Sequence, residues 1–309
     1  MSVIEKAGAE VLNATFGKPG EQQAESKIAN DLGARAVAPK KPQPLALDFT
    51  DLAAKGFYNP QDRSSQLALE LRAVKRRLLR RIGYLRASGD RQAFRASGRQ
   101  RNIVLVTSTR AGEGKTFSSI NLALSLAYED RIETLLVDAD LMRPKIRERL
   151  SLPFALGLSD RIREESLAAA SLGWRVENAP LSILPEGSRA DRPTELFSTA
   201  EAQSFFAELA AADPNRIIIV DAPPVLATTD AVVLGKYADE IVFVVEANTT
   251  PEPAVAAAID ELIEVNPNVS LMLNRCQIGA GGAHYGSYEY YGRGDSADAQ
   301  APVNARSEG

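Results

Sequence analysis

The chain has 309 residues, 45% hydrophobic and 25% charged, with 36 Lys and Arg against 40 Asp and Glu for a formal net charge of -4. That balance suits one large or two modest folded domains and gives no general attraction to nucleic acid, so no nucleic-acid partner is expected. A single cysteine, Cys276, and a single histidine, His284, exclude an internal disulfide and a histidine-built metal site, and no run approaches the roughly 20 apolar residues that cross a bilayer.

Residues 1–62 mix Gly, Pro, Ala, Gln and charge, and Pro39-Lys40-Lys41-Pro42-Gln43-Pro44 interrupts any regular period. They are predicted to form a flexible tether with one short helix over Ile4 to Leu12, and they hold no signal-peptide core, which points to the cytoplasm. Residues 63–101 are predicted as a basic amphipathic helix and a linker. From Ser64 to Arg86, Leu67, Leu71, Val74, Leu78, Ile82 and Leu85 form one apolar stripe at three- and four-residue steps. The other faces carry Arg72, Lys75, Arg76, Arg77, Arg80, Arg81 and Arg86, either as a solvated surface or for docking on an acidic neighbour or a membrane.

Residues 102–278 carry the main domain. Ile103-Val104-Leu105-Val106 reads as a buried strand and Phe117 to Leu126 as a helix, with Thr109-Arg110-Ala111-Gly112-Glu113-Gly114-Lys115-Thr116 between them. Strand, glycine-bearing loop, Lys-Thr and helix are the parts of a P-loop: backbone N–H groups cradle phosphate, Lys115 reaches the outer phosphates and the Thr116 hydroxyl can ligate magnesium. Thr109 stands where the usual pattern has glycine. The nucleotide cradle is therefore assigned to Arg110, Ala111, Gly112, Glu113, Gly114, Lys115, Thr116 and Phe117.

Three further strands end in candidate groups. Thr134 to Val137 leads into Asp138 and Asp140, Arg216 to Val220 leads into Asp221, and Val269 to Leu273 leads into Asn274; Glu240 to Val245 is another apolar run. Helices are predicted over Ala200 to Ala211 and Ala254 to Val265. Continuous apolar strands alternating with helices imply an α/β fold, a mostly parallel sheet covered on both faces, with ligands at the strands' carboxyl ends. Asp138 and Asp140, two apart, are expected to start on the same face. One would hold magnesium while the other accepts the proton of an incoming hydroxyl. Cys276 is expected to be a half-buried small side chain. Residues 279–309, rich in Gly, Ser, Ala and Asp, are predicted to be a flexible tail, yet they hold Tyr285, Tyr288, Tyr290 and Tyr291, four of the chain's eight tyrosines.

Gly112-Glu113-Gly114-Lys115-Thr116, then Leu136-Val137-Asp138-Ala139-Asp140-Leu141-Met142-Arg143-Pro144, then Ile218-Ile219-Val220-Asp221-Ala222-Pro223-Pro224, closed by a tyrosine cluster, resembles the bacterial tyrosine kinases of polysaccharide export. Pro193-Thr194-Glu195-Leu196 adds to the likeness. The resemblance implies an ATP- and Mg2+-dependent autokinase that phosphorylates Tyr285, Tyr288, Tyr290 and Tyr291, usually between protomers of a homo-oligomer, and so regulates exopolysaccharide synthesis. It also implies a separate membrane protein of the chain-length-determinant type as activator, which would hold the kinase at the inner membrane. On that mapping Lys115 and Thr116 bind phosphate and magnesium, Asp138 is the base, Asp140 and Asp221 serve the metal, and Asn274 contacts adenine. Two departures stand out: Glu70, Ala73 and Arg76 lack the middle arginine of the family's Glu-x-x-Arg-x-x-Arg, and Arg110 sits where partition and septum-site ATPases carry a lysine that reaches a dimer partner. The second keeps open a MinD- or ParA-like ATPase switch.

Overall fold

A strand that is aliphatic on both of its faces stabilises a fold only when both faces are covered. The computed structural model describes residues 42–84, 101–213 and 215–276 and covers the aliphatic runs in that way. In chain order the elements are β1 (Gln43–Leu45), α1 (Phe49–Ala54), α2 (Gln66–Arg81), β2 (Ile103–Ser108), α3 (Lys115–Ala127), β3 (Glu133–Asp138), α4 (Ile146–Arg149), α5 (Leu158–Arg163), β4 (Trp174–Val176), β5 (Leu181–Leu184), α6 (Pro193–Phe197), α7 (Ala200–Ala212), β6 (Arg216–Asp221), α8 (Asp230–Gly235), β7 (Glu240–Glu246), α9 (Glu252–Ile263) and β8 (Val269–Asn274).

The strands form one sheet in the order β1-β4-β5-β3-β6-β2-β7-β8. Every pairing is parallel except β4 with β5. Alternation along the strands sorts their side chains into two layers: Val104, Val106, Ile217 and Ile219 enter the layer shared with α1, α2 and α3, whereas Ile103, Leu105, Ile218 and Val220 enter the one shared with α5, α7, α8 and α9. The first β-strand in the loop-strand-helix unit, β2, lies between β6 and β7, and Asp138 is in register with Asp221, so the P-loop and both acidic strand ends share one edge of the sheet.

One sequence-based expectation is corrected. Of residues 1–62, those from 42 onward are not a flexible tether: β1 adds an edge strand, α1 is capped by the Asp48 carboxylate, and Leu47, Leu52, Phe57 and Tyr58 are buried in the core. Three- and six-residue elements are too short to show a period, and the prolines that read as breakers are compatible with an edge strand, where Pro44 lies. The predicted helix over Ile4 to Leu12 and most of the predicted linker lie outside the described residues. The structure also adds the β4–β5 pair and four short helices that the sequence did not signal.

Helix α2 is shorter than its predicted span, with Ser65 as N-cap and Ile82 as C-cap. Leu71, Leu78 and Ile82 of the predicted stripe are buried, joined by Ala68, Leu79 and the stem of Lys75, whose ammonium reaches the Ser125 carbonyl and Glu129 beside α3. Truncating such a side chain removes packing that the neighbours recover only in part. Leu78→Ala is therefore expected to lower stability by about 2–5 kcal/mol in chemical denaturation. Unchanged stability would mean that α2 is not integral to the domain.

Candidate active site

The loop between β2 and α3 closes because Gly112 and Gly114 both take φ +97°, a left-handed conformation open to glycine. A side chain at Gly114 would also run into the Asn274 amide, which donates to the Glu113 carbonyl at 2.8 Å. The Glu113 carboxylate is buried and turned inward: it accepts from the Arg110 N–H at 2.8 Å and from the Thr250 hydroxyl at 2.6 Å. Glu113 and Asn274 thus both brace the loop. Thr250 was missed in the sequence, because the β7–α9 turn that delivers it carries no motif. Thr250→Val, by freeing the Glu113 carboxylate, is expected to weaken ATP binding about tenfold in a calorimetric titration, the effect of one lost charge-assisted hydrogen bond.

Helix α3 begins with no side-chain cap, unlike α1, α2 and α7. Its leading N–H groups, from Lys115 to Phe117, are therefore left for an anion, and the helix dipole favours one there. Among the other cradle residues, Arg110, Ala111 and Gly112 are exposed. The Phe117 ring packs on Phe57, with ring centres 5.2 Å apart, so only its backbone is available to the loop.

Two of the three predicted acids, Asp140 and Asp221, reach Lys115, while Asp138 lies beside them on β3. The Lys115 ammonium lies 2.7 Å from an Asp140 oxygen and 3.8 Å from Asp221. Asp221 in turn accepts from the Thr116 hydroxyl at 2.7 Å and from Ser119 at 2.9 Å, a residue the motifs did not flag. Strand β3 stops at Asp138, so the two-residue alternation no longer governs Asp140. The Asp138 carboxylate accepts the backbone N–H groups of Asp140, Lys145 and Ile146 at 3.2, 3.1 and 3.0 Å, while the Asp140 carboxylate reaches Lys115. A third unflagged residue, Glu186 after β5, is buried with one oxygen accepting from Arg147 at 2.8 Å.

Crowding of buried acids sets their protonation. Burial, then the charges of Asp221 and Glu186, push the Asp138 carboxyl well above the usual range, against the hydrogen bond from Ile146. Burial also raises Asp221, against the Lys115 charge and the Thr116 hydroxyl. For Lys115, burial opposes the charge, but Asp221 and Asp140 outweigh it and hold the ammonium above the ordinary lysine value. Asp138 and Asp221 therefore bind protons more tightly folded than unfolded. The stability they permit is full below the ordinary carboxylate range and falls as pH rises through it towards their raised values. In the ligand-free protein the melting temperature of Asp138→Asn is expected to gain on that of wild type over that window. A constant difference would contradict the assignment of a buried, proton-holding Asp138.

The donors near the loop are a hydroxyl and carboxylates, all hard oxygens. Among the described residues no three His, Cys, Asp or Glu side chains form a metal cage. Magnesium binds through one or two carboxylates together with phosphate and water, so Thr116, Asp140 and Asp221 fit it. Tyr285, Tyr288, Tyr290 and Tyr291 lie outside the described residues. Cys276, expected to be half-buried, is exposed, because the chain has by then left the sheet. No helix among the described residues is long and apolar enough to cross a membrane.

No protein-family model matches the chain. It is 30% identical over 203 residues to the tyrosine-protein kinase YwqD of Bacillus subtilis, covering 66% of this chain and 83% of that one. To the tyrosine-protein kinase CpsD of Streptococcus agalactiae it is 30% identical over 205 residues, covering 64% and 85%. Among solved structures, the crystal structure of the VpsO kinase domain aligns with a TM-score of 0.53 at 31% identity, covering 66% of this chain and 98% of that one.

Proposed function

The chain belongs to the family of bacterial tyrosine-protein kinases, and within that family we propose that it transfers the γ-phosphoryl group of ATP to tyrosines of its own carboxyl-terminal cluster. The observation that carries this reading is the convergence of Lys115, Thr116, Asp138, Asp140 and Asp221 at the edge of the sheet where the uncapped start of α3 waits for phosphate. Family membership takes precedence over the ATPase-switch reading raised by Arg110.

In the proposed reaction the loop and α3 hold the phosphates and Lys115 turns from Asp140 to neutralise them. Asp138, in its ionised form, accepts the tyrosine proton as the phenol oxygen bonds to the γ-phosphorus, and the bond to the bridging oxygen breaks to release ADP; a carboxylate with a raised pKa is the stronger base for that step. Magnesium would be held by Thr116, Asp140 and Asp221 and would offset charge on the phosphates. Asn274, already against the loop, would contact the base. The resemblance to polysaccharide-export kinases supports a role in exopolysaccharide synthesis, a homo-oligomer, and activation by a membrane protein of the chain-length-determinant type.

Truncation after Gly279 tests the acceptor assignment. The truncated protein is expected to bind ATP like the full chain and to gain no phosphotyrosine. Phosphotyrosine formed elsewhere on the truncated chain would remove the tail cluster as the acceptor.

A further inference from the structure

One buried ion pair at the active-site edge takes no part in the proposed reaction. Glu186 follows β5, which pairs with β3, so it leaves the sheet next to the strand end that carries Asp138. It is 6% exposed. One carboxylate oxygen accepts from Arg147 Nε at 2.8 Å, and the other is buried with no donor among the described residues. Replacing a buried ion pair by apolar side chains of similar volume is often neutral or stabilising, and a half-satisfied carboxylate adds a desolvation cost. The pair also sets a further negative charge near Asp138, whose carboxyl is pushed up by burial and by the charges of Asp221 and Glu186. Stability therefore gives no reason for a glutamate here, whereas its connections do.

The backbone that presents Glu186 is tied to α5. The Leu158 and Ser159 N–H groups donate to the Pro185 and Glu186 carbonyls at 2.9 and 3.0 Å, and the Asp160 carboxylate accepts from the Gly157 and Ser188 N–H groups at 2.9 and 3.0 Å. At the other end of the pair, Arg147 comes directly after Lys145 and Ile146, whose N–H groups hold the Asp138 carboxylate at 3.1 and 3.0 Å. The Arg147 guanidinium also lies over the Phe154 ring, 5.6 Å from its centre. The connections are thus continuous: Glu186 holds Arg147, Arg147 holds the start of α4, and the start of α4 holds Asp138. We propose that Glu186 is a positioning residue for Asp138, acting through Arg147 and the backbone at Lys145 and Ile146. The part Asp138 plays in chemistry rests on the kinase reading, but the positioning itself can be observed without ATP.

Amide hydrogen exchange of the ligand-free full chain reads the positioning. Glu186→Gln keeps the size and removes the charge that holds Arg147, so exchange at Lys145 and Ile146 is expected to quicken about tenfold, with α3 and β6 unchanged. In a phosphotyrosine time course the same variant is expected to lower kcat by about 10- to 100-fold with the KM for ATP unchanged. Because it acts through Asp138, it is expected to lower the rate no further in an Asp138→Asn background. Arg147→Met is expected to give the same pattern and takes the place of Glu186→Gln should that variant not fold. Unchanged exchange at Lys145 and Ile146 would overturn the proposal. So would a loss of rate in the Asp138→Asn background as large as in wild type, or a rise in the KM for ATP that accounts for the whole loss. Absence of phosphotyrosine from the wild-type chain would instead sink the kinase reading, and the exchange rates would then decide by themselves whether Glu186 holds the backbone around Asp138.

Discussion

Lys115→Met is expected to abolish tyrosine phosphorylation and to weaken ATP binding strongly. Lys115 is the cation that both Asp140 and Asp221 approach, at 2.7 and 3.8 Å, and it stands at the head of a helix with no other cap. With ATP bound, the same ammonium is positioned to exchange these carboxylates for phosphate oxygens. Methionine fills a similar volume but supplies no charge, so negative charge building up in the transition state loses the side-chain cation that faces it beside two acids. A loss of about 10²–10³-fold or more in the rate of phosphotyrosine formation follows from removing one charge-stabilising donor. Isothermal titration with ATP and a phosphotyrosine time course check the two effects separately. Near-normal phosphorylation by the Met variant would show that the transferase is a contaminant or that the site lies elsewhere.

Asp138→Asn is expected to separate binding from chemistry. Asp138 touches neither Lys115 nor Thr116; its partners are the backbone N–H groups that follow β3. ATP affinity should therefore change little. The amide cannot accept a proton, so phosphorylation should fall by about 10²–10⁴-fold, the usual contribution of a positioned base. Retained phosphorylation would withdraw the role from Asp138 and leave Asp140 as the next residue to test. The Asp138 carboxylate accepts the Asp140 N–H, so the two positions are structurally linked.

The parts of this architecture that were legible in the sequence are those with long or repeated signals. Strands β2, β3, β6 and β7 are aliphatic without interruption, α2 and α3 carry regular apolar spacing, and the loop glycines, Lys115 and the acids at strand ends follow from the chemistry of phosphate binding. Residues 42–62 were not legible: β1 and α1 are stabilised by Trp174, Val176 and α3, contacts made far along the chain that no local window contains. The same limit hid Ser119, Thr250 and Glu186. Each is an ordinary polar residue locally and gains its role only when tertiary contacts set it against Asp221, Glu113 or Asp138. Glu113 shows the reverse case: its place in the motif suggested a ligand contact, whereas the fold turns its carboxylate into a brace for the loop.

Intact-mass analysis of the purified full chain with magnesium and ATP, beside Lys115→Met, tests the central claim most directly. The account expects the wild-type protein to gain one or more phosphates that peptide mapping places among Tyr285, Tyr288, Tyr290 and Tyr291, and the Met variant to gain none. ATP turnover without any phosphotyrosine, even with the cytoplasmic segment of a chain-length-determinant protein added, would contradict it.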